Sequence, residues 1–161
     1  MDLKYTELAN KLSLDKYTYE LVEELKKELH YNSDIQAKLQ PHILSLVKHM
    51  LGKRMNISPL PKVSFIDHDS ENANNVLGLT AYYDPIGKSI TLYTCNRHPK
   101  DILRSFSHEM VHHMQNLEGR LQGKIHTQNV NEDDYLKEIE REAYELGNMA
   151  LREWENSLKN K

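Results

Sequence analysis

The chain has 161 residues, enough for one domain with its own core, and its 28% charged and 39% hydrophobic content is that of an ordinary water-soluble protein. A net charge of -3 argues against an electrostatic grip on nucleic acid or on an anionic membrane. The single cysteine, Cys95, excludes an intramolecular disulfide and any metal site built from several thiolates, and fits a reducing compartment.

Residues 1–16 carry little periodicity and no apolar signal core, and no run approaches the ~20 apolar residues of a membrane span. A cytoplasmic protein with no membrane partner is expected. Tyr17, Leu21, Val22, Leu25 and Leu29 mark a first amphipathic helix. Ile35, Leu39, Ile43, Leu46, Val47, Met50 and Leu51 mark a second. Pro41 falls inside that second pattern, so the helix either kinks there or starts afresh. Gly52 and the Pro59–Pro61 stretch close this helical half, giving an N-terminal segment over 1–61 and a core over 62–161, packed as one unit.

The texture changes at Lys62, where alternation predicts a short strand through Ile66. Residues 67–75 read as a polar loop. Val76–Tyr83 and Ser89–Thr94 flank Asp84-Pro85-Ile86-Gly87-Lys88, a turn sequence, so they form a β-hairpin. A central helix begins near Pro99, with Asp101 favourable in its first turn, and ends at Glu118-Gly119. A polar loop over 118–132 follows, then a last helix from Asp133 to about Leu158.

The central helix holds His108-Glu109-Met110-Val111-His112. Four residues turn a helix by about 400°, so both imidazoles point one way and can reach one ion. With His108 at zero on a helical wheel, Leu103, Phe106, Met110, Met114 and Leu117 fall between about 160° and 240°, and His112 at ~40°. The helix should therefore pack with one side and offer the histidines to a cleft. Glu109, at ~100°, could hold the water that a bound ion activates, while His113, at ~140°, points away from the ion. Two imidazoles, a carboxylate and an open position suit zinc, one ion per chain.

A catalytic zinc needs a third protein ligand. His126 lies in the loop after the helix. The last helix offers Glu138, Glu140, Glu142 and Glu145. Glu142 is the choice on the pattern: Tyr135, Ile139, Leu146 and Met149 sit seven, three, four and seven residues from it, bordering an apolar stripe. An unpaired carboxylate there would be costly, and a cation removes the cost. Glu138, one turn back, and Asp101 near the start of the central helix are candidates for supporting positions around the site. Arg97, His98, Asp101 and Arg104 could orient a ligand or a loop. Tyr82, Tyr83 and Tyr93 either line subsites or cover one face of the sheet, and Cys95 reads as packing.

With these residues in place the chain resembles a zincin metallopeptidase of the gluzincin kind. Glu140-Arg141-Glu142-Ala143 is similar to the setting of the glutamate ligand in compact ImmA-type and minigluzincin-like members, which occur in phage and bacterial genomes. The resemblance spans about Lys62 to Leu158. It implies an α+β, zincin-like fold: a small antiparallel-rich sheet with its hairpin, an active-site helix packed on it, and a C-terminal glutamate helix. It implies zinc on His108, His112 and Glu142, Glu109 as general base, and a peptide or protein substrate paired against a sheet strand. For the transition-state stabiliser of that family the candidates are Tyr144, Tyr135 and His126. The N-terminal helices would build the upper wall of the cleft. The competing readings are a zinc-binding regulatory or interaction module without proteolysis, and a peptidase acting on protein–DNA adducts, which the charge disfavours.

Overall fold

The computed structural model describes residues 34–67, 79–121 and 134–159. The first expected helix, over residues 17–29, and most of the two expected polar loops lie outside them. The described chain forms helix α1 (Asp34–Gly52), strands β1 (Lys62–Ile66), β2 (Ala81–Asp84) and β3 (Ser89–Tyr93), helix α2 (Pro99–Leu117) and helix α3 (Asp134–Lys159). This is an α+β arrangement. None of the described helices is long and apolar enough to cross a membrane.

The sheet has the order β1-β3-β2. β2 and β3 are the expected antiparallel hairpin, with Tyr83 opposite Ile90 and Ala81 opposite Leu92. β1 runs parallel to β3, from Lys62 against Ser89 to Ile66 against Tyr93. The sheet is therefore mixed rather than antiparallel-rich. The reason is the strand order: β3, antiparallel to β2, lies between β1 and β2 and shares β1's direction. β2 is shorter than the sequence alternation suggested, starting at Ala81, and it forms an edge. Its turn is held by the Asp84 carboxylate, which accepts from Ile86 N–H at 3.0 Å. The left-handed residue of the turn is Lys88, at φ 51°, and not the glycine before it.

α1 is assigned as one helix through Pro41. Its apolar face, Leu39, Ile43, Leu46, Val47 and Met50, is fully buried and belongs to one cluster with Ile90 and Leu92 of the sheet, Phe106 and Met110 of α2, and Leu151 and Trp154 of α3. The Trp154 indole is anchored as well as buried, donating to Ser45 Oγ of α1 at 2.8 Å.

α2 is the central element. The His98 ring caps its start by accepting from Lys100 N–H at 3.0 Å, and Pro99 follows in the first turn. The sequence wheel left one side of this helix open to a cleft, and the structure keeps Arg104 and His108 on a cleft but covers the side from Glu109 onward. Ser107, Glu109, His112, His113 and Gln115 are buried together with the apolar residues. The sheet takes one side of the helix and α3 covers much of the histidine side. The buried stripe of α3 carries small residues, Ala143, Gly147 and Ala150, and Gly147 meets α2 directly. A Cβ built on Gly147 would stand 3.1 Å from the Cα and the N of His108, so glycine sets the helix separation beside the first histidine.

Candidate metal centre

α2 delivers His108 and His112 one turn apart, with ring centroids 4.8 Å from each other and nearly perpendicular planes. α3 delivers the carboxylate that meets them, and it is Glu140. Its Oε1 lies 2.6 Å from His108 Nε2 and its Oε2 lies 3.1 Å from His112 Nε2. The ligand atoms of the three residues all fall within 4.8 Å of one another, a spread that one ion can bridge. His112 is sealed, with 1% of its side chain exposed, while His108 and Glu140 stay open to solvent at 14% and 18%. His112 Nε2, Glu140 Oε2 and Glu109 Oε2 are buried and find no aligned hydrogen-bond partner. Buried polar atoms are seldom left so, and a cation among them would satisfy them. The donor set, two imidazoles and a carboxylate with one side open, fits zinc.

The three groups are also coupled electrostatically. Burial would push the Glu140 carboxyl up, yet the hydrogen bonds and charges of the two histidines bring it down to about 2. Burial is the largest influence on His112 and lowers it, but Glu140, Glu109 and Gln115 together outweigh that and leave it raised. Glu109 is raised, first because it is buried and then because Glu140 is near, while the two imidazoles pull it back.

The expected ligand Glu142 stands elsewhere. It accepts from Arg120 at 2.7 and 3.1 Å and from the Gln115 amide at 3.0 Å. That pairing with Arg120 holds its carboxyl below the usual range. The reason for the exchange of roles is visible on the helical wheel of α3. With Leu136 at zero, the buried Ile139, Ala143, Gly147, Ala150, Leu151 and Trp154 all fall within about 60° of it. Glu140 lies at ~40°, inside that stripe, and Glu142 at ~240°, on its flank. The stripe read from Tyr135, Leu146 and Met149 was rotated by their bulk. Tyr135 and Met149 are 47% and 41% exposed. The signal that locates Glu140 is the run of small residues in register with it.

Gln115, which the sequence reading did not single out, links the two carboxylate environments. Its Nε2 donates to the Ile139 carbonyl and to Glu142, both at 3.0 Å. Neither partner can donate back, so the amide orientation is fixed and Gln115 Oε1 faces His112 Nδ1 at 2.8 Å. His112 must then carry its proton on Nδ1, which leaves the Nε2 lone pair directed at the ion position. The chain Arg120–Glu142–Gln115–His112 thus sets the tautomer of a ligand.

Of the other expected site residues, Tyr144 is at the site, its ring 4.4 Å from that of His108. Tyr135 is not: its hydroxyl donates to the Arg120 carbonyl at 2.6 Å. Glu138 is exposed and paired with Arg141, and Asp101 is exposed and paired with Arg104, so neither supports the ligands. His126 lies outside the described residues. His113 is turned away from the cluster and is structural. Its Nε2–H donates to the Pro59 carbonyl at 2.7 Å, so its Nδ1 accepts from the Tyr83 hydroxyl at 2.8 Å. Tyr83 is buried in this network, with its hydroxyl pushed up to about 12 by burial, and is not a subsite residue. Tyr82 and Tyr93 pair with each other at 6.2 Å between ring centroids.

A cleft of about 510 Å³ opens over His108 and Glu140, lined by Thr80 and Ala81 at the start of the edge strand, Arg104, His108 and Glu109 from α2, and Glu140 and Tyr144 from α3. Arg97 fixes the edge strand against the helix. It donates to the carbonyls of Thr80 at 2.9 Å and Tyr93 at 2.8 Å, and also to the Asp101 carbonyl and Ser105 Oγ. The strand that is an edge among the described residues is thereby held beside the helix that carries the histidines.

The chain matches no protein-family model, no curated protein and no solved structure in comparisons with each.

Proposed function

We propose that this chain is a zinc-dependent peptidase of zincin-like fold that hydrolyses peptide bonds at His108, His112 and Glu140. The observation that carries the reading is the meeting of these three side chains with a buried, raised Glu109 at the floor of an open cleft. A site meant only to brace a fold has no use for a carboxylate base beside its open side. Zinc bound there would supply Lewis acidity, polarising the scissile carbonyl and acidifying a water. Glu109 takes the proton of that water as its oxygen bonds to the carbonyl carbon, then passes the proton to the leaving amine as the C–N bond breaks. We assign the donor toward the developing oxyanion to Tyr144, whose ring lies 4.4 Å from that of His108. Among the described residues β2 is an edge strand, and its outer backbone groups are those with which an extended substrate would pair.

Zinc content and cleavage of a peptide library, measured together on wild type and Glu109→Gln, test this reading. The variant should keep stoichiometric zinc and lose cleavage by at least the ~100-fold expected for a general base. Unchanged cleavage removes Glu109 from the role. A wild-type protein that holds zinc and cuts no peptide supports instead a metal-binding module without proteolysis.

A further inference from the structure

The cleft above the histidines does not end at the metal centre. Arg104 and Asn148 line it and also line a second hollow of about 460 Å³, so the two adjoin. The contacts between α2 and α3 show the helices antiparallel: Gln115 meets Ile139, His108 meets Gly147, and Lys100 meets Glu155. The second hollow therefore runs from the histidines toward the start of α2 and the end of α3.

Its walls are cationic. Lys100, Arg104 and His108 stand at intervals of four on α2, one face of one helix. Across from them α3 contributes Arg152 and Lys159. Against these four cations stand two carboxylates, Glu155 at 3.4 Å from Lys100 and Asp101 on Arg104. Arg152 and Lys159 have no carboxylate partner among the described residues. The floor is apolar, where Leu151 is 4% exposed. A surplus of positive charge in a channel adjoining the site is notable in a chain whose net charge is -3.

We propose that this channel is the substrate's exit from the cleft and selects peptides with acidic side chains on one side of the scissile bond. The inference rests on the peptidase reading of the metal site and names the substrate class for it. The reach follows from geometry. Lys100 precedes His108 by eight residues, about 12 Å along the helix. An extended peptide covers that length in about four residues. The acidic side chains should then lie within about four residues of the cut.

The test uses the zinc-loaded Glu109→Gln protein and fluorescent peptides of equal length whose flank is either Glu-rich or Lys-rich. Anisotropy should show the Glu-rich peptide bound at least about tenfold more tightly, the yield of a few exposed ion pairs. That advantage should shrink as salt is raised. Reversing charge with Arg152→Glu and Lys159→Glu should abolish the preference, and far-ultraviolet circular dichroism reports whether that variant folds. Should it not fold, the salt dependence of the wild-type preference decides. Equal binding of the two peptides overturns the channel's role whether or not either is cut by the wild type. Tight, salt-sensitive binding of the Glu-rich peptide with no cleavage by wild type leaves the channel standing and removes the peptidase reading. A single-stranded oligonucleotide that displaces the Glu-rich peptide at lower concentration than the peptide itself overturns the peptide as occupant in favour of nucleic acid.

Discussion

Gln115→Leu removes one side chain that touches neither the cleft nor the ion position, yet it should weaken zinc binding. The leucine deletes the acceptor of His112 Nδ1–H and the two donations to Ile139 and Glu142. His112 is fully buried, so its N–H cannot turn to water instead. An orphaned buried donor costs roughly 1–3 kcal/mol. Where that cost falls on the ligand's orientation, affinity should drop by about 10–100-fold, the usual effect of losing a partner behind a ligating histidine. The assay is a chelator competition for the zinc dissociation constant beside a thermal melt of the metal-free protein. Gln115→Glu separates two roles. It restores an acceptor for His112, so zinc affinity should recover toward wild type. It also turns an acceptor onto the Ile139 carbonyl and Glu142, so the metal-free melting temperature should stay low. If Gln115→Leu lowers only the melting temperature and leaves zinc affinity within about twofold, well short of the usual loss, Gln115 joins two helices and does not position His112.

Gly147→Val should force α3 off α2 beside His108, because even a bare Cβ meets backbone at 3.1 Å. Overpacking of this kind costs roughly 1–3 kcal/mol, a melting shift of several degrees in a chain of this size, and zinc affinity should fall with it. An unchanged melt would show the helices are not in close contact there. Acid should destabilise the protein through His113, whose pKa burial lowers from 6.5. The unfolded chain binds the proton first, so stability is full above the unfolded value and declines as pH falls below it toward the folded value. Urea titrations of the metal-free protein should show a shallower decline between these limits in His113→Gln, and an identical decline would place the titrating group elsewhere.

The strands, the hairpin and the central helix were legible because their signals are local. Pro99 behind a capping residue, Asp84-Pro85 in a turn and period-two alternation each act within a few residues. The parallel placement of β1 was not legible, since it depends on β3 assembling between β1 and β2. The histidine pair was legible from spacing alone. Its partner was missed because bulk was taken as the measure of burial. In α3 the buried stripe runs through Ala143, Gly147 and Ala150, whose small side chains contribute little hydrophobicity but allow close approach. Tyr135 and Met149 are large and lie at the surface. Reading the small residues as the contact line moves the inward carboxylate from Glu142 to Glu140. Gln115 carried no signal, because its role depends on two helices meeting.

The central claim is that Glu140 completes the site with His108 and His112. Zinc per chain after exhaustive dialysis, measured on Glu140→Gln and Glu142→Gln side by side, tests it directly. Glu140→Gln should come out well below one zinc per chain, because it removes a donor that meets both imidazoles. Glu142→Gln should retain about one, with affinity reduced at most as far as loss of a supporting partner allows. Stoichiometric zinc in Glu140→Gln together with its loss in Glu142→Gln would contradict the assignment.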